Sequence, residues 1–198
     1  MQYLGETFLF PVVDGRSLAS TSTDFQYFYP CDGATLPVNG GPSNGSCSGP
    51  TPPVDGPSNL QLATVLGADT TGSDATFALP DMAPPTPQVQ WFVSNTGPMP
   101  TGQPADDVIT LVGQISIYPT PSGGQSYSPG ELLPCDGRTL PTEGYPELFS
   151  LLGTAFGGDG QQTFLIPELP APGPSLMYGM TSFGTVPQLV PMKAEAPA

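Results

Sequence analysis

Two near-identical phrases hold the residue types from which a reactive site could be built. "CDGATL" stands at 31–36 and "CDGRTL" at 135–140. Each offers a thiol, a carboxylate and a glycine turn: Cys31-Asp32-Gly33 and Cys135-Asp136-Gly137. The chain has no His, which removes the commonest general base and the commonest metal ligand. Ser-His-Asp, Cys-His and His-Glu-x-x-His sites are therefore excluded, and a tetrahedral zinc site would need carboxylates to complete it. The one activating charge near Cys135 is Arg138, and Cys31 has nothing comparable. A thiol without a base or a positive field stays near its ordinary pKa and is unreactive. Both cysteines read as small buried residues that anchor a turn. Asp32 and Asp136 read as turn residues, because Asp bonds back to nearby amides and the following Gly tolerates positive φ.

Three other features invite a chemical reading. Cys47 has no counterpart near the second phrase; a Cys31–Cys47 disulfide is one alternative, and a Cys31 buried as Cys135 is buried is the other. "GGDGQQ" at 157–162 has too few carboxylates for a calcium loop and lacks the Lys and Ser/Thr of a phosphate loop, so it reads as a tight structural loop. Trp91, Phe92, Tyr178 and Phe183 have the makings of a sugar-stacking platform, but their place in apolar strands points to core or subunit contact. The expected sets of catalytic, cofactor-binding and metal-ligating residues are empty, no cofactor is expected, and the chain is not expected to be an enzyme.

Composition narrows the partners. Seventeen acids face three bases in 198 residues, a net charge of −14. Phosphate backbones need clustered Lys and Arg, so no nucleic-acid partner is expected, and anionic membrane surfaces repel the chain. Gly (25) and Pro (28) make up over a quarter of the residues, yet 37% are hydrophobic and fall in short runs between turn signals. That pattern predicts a loop-rich, mainly β fold with short helices, built from small α+β modules. The longest apolar run is far short of the ~20 residues of a membrane helix. "MQYLGETFLFPVVDG" has no basic region followed by an apolar stretch, so neither a Sec signal peptide nor membrane insertion is expected.

The elements that must position the two phrases also occur twice, in the same order. "LGETFLF" (4–10) matches "LVGQISIY" (111–118), both alternating as half-buried strands do. "LQLATVLG" (60–67) matches "ELFSLLG" (147–153), "TFALPDM" (76–82) matches "TFLIPEL" (163–169), and "WFVSNTGPMP" (91–100) aligns with "YGMTSFGTVP" (178–187). The spacing between copies is 104 at the Cys-Asp-Gly phrase and 87 at the Thr-Phe phrase, so the first copy carries 17 extra residues within 38–59. The division that follows is a module at 1–100 with an inserted surface loop at about 40–58, a linker at 101–110, a module at 111–190 and a flexible tail at 191–198. In the second module a helix is expected at about 145–152, with Pro146 in its first turn, Glu147 at the positive end of its dipole and Gly153 past its end. A strand at 175–183 closes the module.

"VGQISIYP…PCDGRTLPTEGYPELFSLLGTAFGGDGQQTFLIPEL" (112–169) closely resembles the phage tail collar domain, a module also found in bacterial microcystin-dependent proteins. The first copy is a weaker match, with "ADTTGSD" (68–74) in place of the Gly-Gly-Asp-Gly stretch. The Trp that usually precedes the Cys is replaced by Phe28-Tyr29-Pro30 and Leu132-Leu133-Pro134. The resemblance implies two tandem collar-like domains in a non-enzymatic structural protein of a phage tail or phage-like particle: a collar, fibre, adaptor or decoration subunit that contributes to host attachment. The alternative is a bacterial extracellular surface or filament-forming adhesion protein built from the same module. Implied partners are further copies of the chain, as a trimer or an open filament, other tail or particle proteins, and a cell-surface receptor or glycan. The implied location is the virion tail or the extracellular space.

Overall fold

The computed structural model describes residues 6–18, 28–38, 59–71, 75–95, 110–120, 132–187 and 189–191. The inserted loop at 40–58 and Cys47 lie outside these, as do all of the linker but Thr110 and all of the tail but Pro191. The described residues are mainly β with two short helices. The first half runs β1 (Thr7–Pro11), β2 (Arg16–Leu18), β3 (Phe28–Pro30), β4 (Thr35–Pro37), α1 (Leu60–Val65), β5 (Thr76–Ala78) and β6 (Val89–Ser94). The second runs β7 (Ile115–Pro119), β8 (Leu132–Pro134), β9 (Thr139–Pro141), α2 (Pro146–Leu152), β10 (Thr163–Leu165), β11 (Leu176–Thr181) and β12 (Leu189–Pro191). No described helix is long and apolar enough to cross a membrane.

Six strands form one sheet in the order β3-β6-β1-β7-β11-β8. Its two outer triplets have the same pairing. Thr7 stands opposite Val93 and Ile115 opposite Met180; Tyr29 stands opposite Val93 and Leu133 opposite Met180. The small hairpins agree as well: Thr35 faces Ala78 in β4–β5, and Thr139 faces Leu165 in β9–β10. Each of these partners maps onto its counterpart by the same offsets, 104 for the Cys-Asp-Gly segments and 87 for the segments that pair with them. On the opening strands the offset is 108, so Leu9 corresponds to Ile117.

The triplets meet where β1 and β7 pair antiparallel, with Leu9 opposite Ile115. Continued along the strands, this register sets Phe8 opposite Ser116, its own counterpart under the offset of 108. Equivalent strands meeting about equivalent residues make an isologous contact, the geometry of a twofold dimer. Here it joins two halves of one chain. Strand alternation puts Leu9, Trp91, Val93, Tyr29, Ile115 and Met180 on one face of the sheet. The other face carries Phe8, whose ring meets Phe28 edge-on at 5.4 Å and stacks on Phe92 at 6.1 Å.

Each helix closes a core over its own triplet. Leu62 and Ala63 of α1 join Tyr29, Leu36, Phe77 and Val93 in one buried cluster. Leu148, Leu151 and Leu152 of α2 join Leu133, Ile115, Met180 and Phe164 in a second, which also takes in Phe8, Leu9 and Phe10 at the seam. The sequence signals of α2 hold: Pro146 opens it, Glu147 is in its first turn, and Gly153, with φ of +52°, follows its last residue. Asn59, just before α1, does not cap that helix. Its side chain is drawn inward, where its Oδ1 accepts from the Tyr29 hydroxyl at 2.9 Å and from Asn95 Nδ2 at 3.0 Å, while its Nδ2 donates to the Pro37 carbonyl.

A further ribbon was not expected from the sequence. Val13 and Arg16 exchange two backbone hydrogen bonds of 2.8 Å around Asp14 and Gly15, both with positive φ (+50° and +69°). Asp-Gly with two such residues is the signature of a type I′ hairpin turn. The turn leads into β2, which pairs with β12 from the end of the second half.

Candidate functional site

Each Cys-Asp-Gly turn joins two other segments of its half through backbone hydrogen bonds. The Cys31 N–H donates to the Trp91 carbonyl of β6 at 2.9 Å, and the Cys31 carbonyl accepts from the Met82 N–H. Cys135 does the same with Tyr178 of β11 and the Leu169 N–H. The segment thus straps the closing strand to the stretch after the Thr-Phe strand. Asp32 Oδ1 accepts the Ala34 N–H at 3.0 Å, and Asp136 Oδ1 accepts the Arg138 N–H at 3.3 Å. Gly33 and Gly137 hold φ of +73° and +74°, and a Cβ on either would come within 3.3 Å of Asp81 or 3.2 Å of Glu168. The close approach and the positive φ together call for glycine at both.

The thiols lie inward of these straps, and both are free and buried. Desolvation, with the Asp32 charge as a lesser cause, pushes the Cys31 thiol up to about 12. Burial likewise raises Cys135, helped by Asp136. A thiol in that state holds almost no thiolate near neutral pH. In a Cys47→Ser variant, neither remaining cysteine should react with an aromatic disulfide reagent at pH 8 until the protein is unfolded, when both should. One thiol reacting within minutes in the folded protein would contradict this placement.

The carboxylates at the turns are committed to local bonds. Arg138 grips Asp136 with Nε to Oδ1 at 2.8 Å and Nη2 to Oδ2 at 2.6 Å, and these bonds hold the Asp136 carboxyl below its usual range. Both side chains are nearly half exposed, so the pair contributes about 0–1 kcal/mol. In the "GGDGQQ" loop, Asp159 Oδ1 accepts the backbone N–H groups of Thr163, Gln161 and Gln162 at 2.8–2.9 Å, which lowers its pKa. Folded-state values below the unfolded one mean that the unfolded chain binds more protons in acid. The associated stability is fully present above the unfolded carboxyl value, about 4, and is lost as pH falls through the folded values. The melting temperature should therefore drop on acidification below about pH 4. Asp159→Asn should flatten that drop, and an unchanged slope would show that this carboxylate is not among its causes.

The four aromatic residues do not form one platform. Trp91 and Tyr178 stand at corresponding positions on one face of the sheet, Phe92 is buried on the other, and Phe183 lies outside the strands, 48% exposed. Among the described residues no group of three or more His, Cys, Asp or Glu side chains could hold a metal ion.

Two clefts were not foreseen. One of about 630 Å³ lies where the halves meet, between the Asp14 turn with Arg16, the end of α2 from Ser150 to Ala155, and Leu189 of β12. The other, about 370 Å³, is lined by Cys31, Asp32, Asp81, Met82, Pro84 and Pro87 among others. The local sequence signal beside the first is the Asp14-Gly15 dipeptide, which marks the I′ turn, and beside the second the Cys31-Asp32-Gly33 phrase.

Residues 113–171 match the family model described as Phage Tail Collar Domain. That stretch of the second half is thus similar to a phage tail collar domain. The matched span takes in β7, the second Cys-Asp-Gly turn, α2, the Gly-Gly-Asp-Gly loop and β10. No curated protein matches the chain, and no solved structure does.

Proposed function

We propose that the chain is a non-enzymatic structural subunit of a phage tail or phage-like particle, a collar, fibre, adaptor or decoration subunit that contributes to host attachment. The collar domain at 113–171 carries this reading. The shared pairing registers support treating 1–100 as a second, diverged copy of the module in 111–190. Buried, high-pKa thiols and carboxylates occupied in turns favour a scaffold over a catalyst. Its partners are further copies of itself, other tail or particle proteins and a cell-surface receptor or glycan, with no nucleic acid and no membrane insertion. A trimer would present six modules to a sixfold tail structure, with the two diverged halves in alternating positions. Its location is the virion tail or the extracellular space.

Density-gradient sedimentation of a lysate from producing cells tests the proposal. The chain should travel with particles that contain capsid or tail proteins. Its recovery only with filaments free of capsids would favour the adhesion reading, and recovery only as a slow soluble species would remove both.

A further inference from the structure

Among the described residues the sheet ends at β3 on one side and β8 on the other, and both ends are finished in the same way. The Cys31 N–H bonds inward to Trp91 and the Cys135 N–H inward to Tyr178. In an antiparallel pair these directions alternate by residue. Tyr29 and Leu133 therefore also bond inward, and Phe28, Pro30, Leu132 and Pro134 turn their backbone groups outward. Proline has no N–H, so each edge strand offers one outward donor, from Phe28 or Leu132. The Pro134 carbonyl is already taken by the Asp136 N–H at 2.9 Å. One residue further on, Asp32 and Asp136 leave the sheet to bridge Asp81 and Glu168, so neither edge continues.

A strand that adds to a sheet needs a donor and an acceptor at every second residue, and an exposed edge that provides them invites pairing with another chain. The opening-strand edge of each half is consumed at the β1–β7 seam. We infer that Pro30 and Pro134 close the two remaining edges against strand addition by a second copy of the chain. Copies in an assembly then meet through other surfaces, and each sheet stays at six strands. This holds whatever the particle is, because it rests on strand pairing and not on the collar assignment.

The experiment is a Pro30→Thr/Pro134→Thr variant of the full chain, which restores an outward N–H to each edge with a residue suited to strands. Mass photometry and amide-I infrared spectra are compared with wild type at equal micromolar concentrations. The variant should form species of about twice the wild-type mass or more, growing with concentration, with a new intermolecular β-sheet band. If the Thr variant loses its cooperative melt, the Pro30→Ala/Pro134→Ala variant, which restores the same groups with a smaller side chain, is read in the same way. A variant that keeps its melt and stays at the wild-type mass would overturn the inference, as would loss of the cooperative melt in both.

Discussion

Leu9→Asp is expected to destabilise the whole chain by about 4 kcal/mol or more, while Ile117→Asp leaves its stability nearly unchanged. The two residues occupy corresponding positions in the opening strands, yet Leu9 is 0% exposed at the seam and Ile117 is 46% exposed. An aspartate at Leu9 would place an unpaired charge in the cluster that links both halves, with no basic side chain beside it in that cluster. Losing the leucine and burying the charge together cost about 4 kcal/mol or more. Against a typical total of about 5–15 kcal/mol that is a quarter or more of the stability of the whole chain. The same change at Ile117 should cost about 1 kcal/mol or less. Chemical denaturation with circular dichroism reads both. Similar losses at the two positions would mean that the seam is not where the halves share their core.

Gly158→Ala should carry the second large effect, centred on the stretch that matches the collar family model. A Cβ at Gly158 would lie 2.5 Å from the Phe164 Cα and 2.6 Å from the Thr163 carbonyl oxygen, both backbone atoms of β10. The residue also holds φ of +105°, which side-chain-bearing residues rarely adopt. Strain and forced displacement together cost roughly 2–6 kcal/mol. Gly157 is the internal control: its φ is +113°, but an added Cβ would meet only the Leu165 side chain, at an ordinary 3.5 Å. Gly157→Ala should therefore cost roughly 1–3 kcal/mol, from strain alone. Equal melting temperatures for the two variants would argue against the close packing of this loop on β10.

What the sequence revealed was written in local chemistry. Asp and Gly mark the turn after each cysteine, and Pro146 and Gly153 bound α2 almost to the residue: 146–152 observed against about 145–152 expected. The closing strand, expected at 175–183, is Leu176–Thr181. What stayed hidden depends on partners distant in the chain. "LGETFLF" and "LVGQISIY" alternate alike, and nothing in either says that they pair with each other, or that Leu9 is sealed while Ile117 is exposed. The residues facing the turns, Asp81 and Glu168, belong to segments that read simply as strand ends. The ribbon of β2 and β12 joins residues over 170 positions apart, beyond the reach of any periodicity. The empty set of catalytic residues rested on the missing His, and the bonding of Asp136 and Asp159 supplies a separate reason for their presence.

Electron microscopy of particles released from producing cells, labelled with gold-conjugated antibody raised against this chain, tests the central claim most directly. The account predicts gold at the tails of capsid-bearing or phage-like particles, at a fixed place along the tail. Gold confined to free soluble protein, with tails unlabelled, would contradict it.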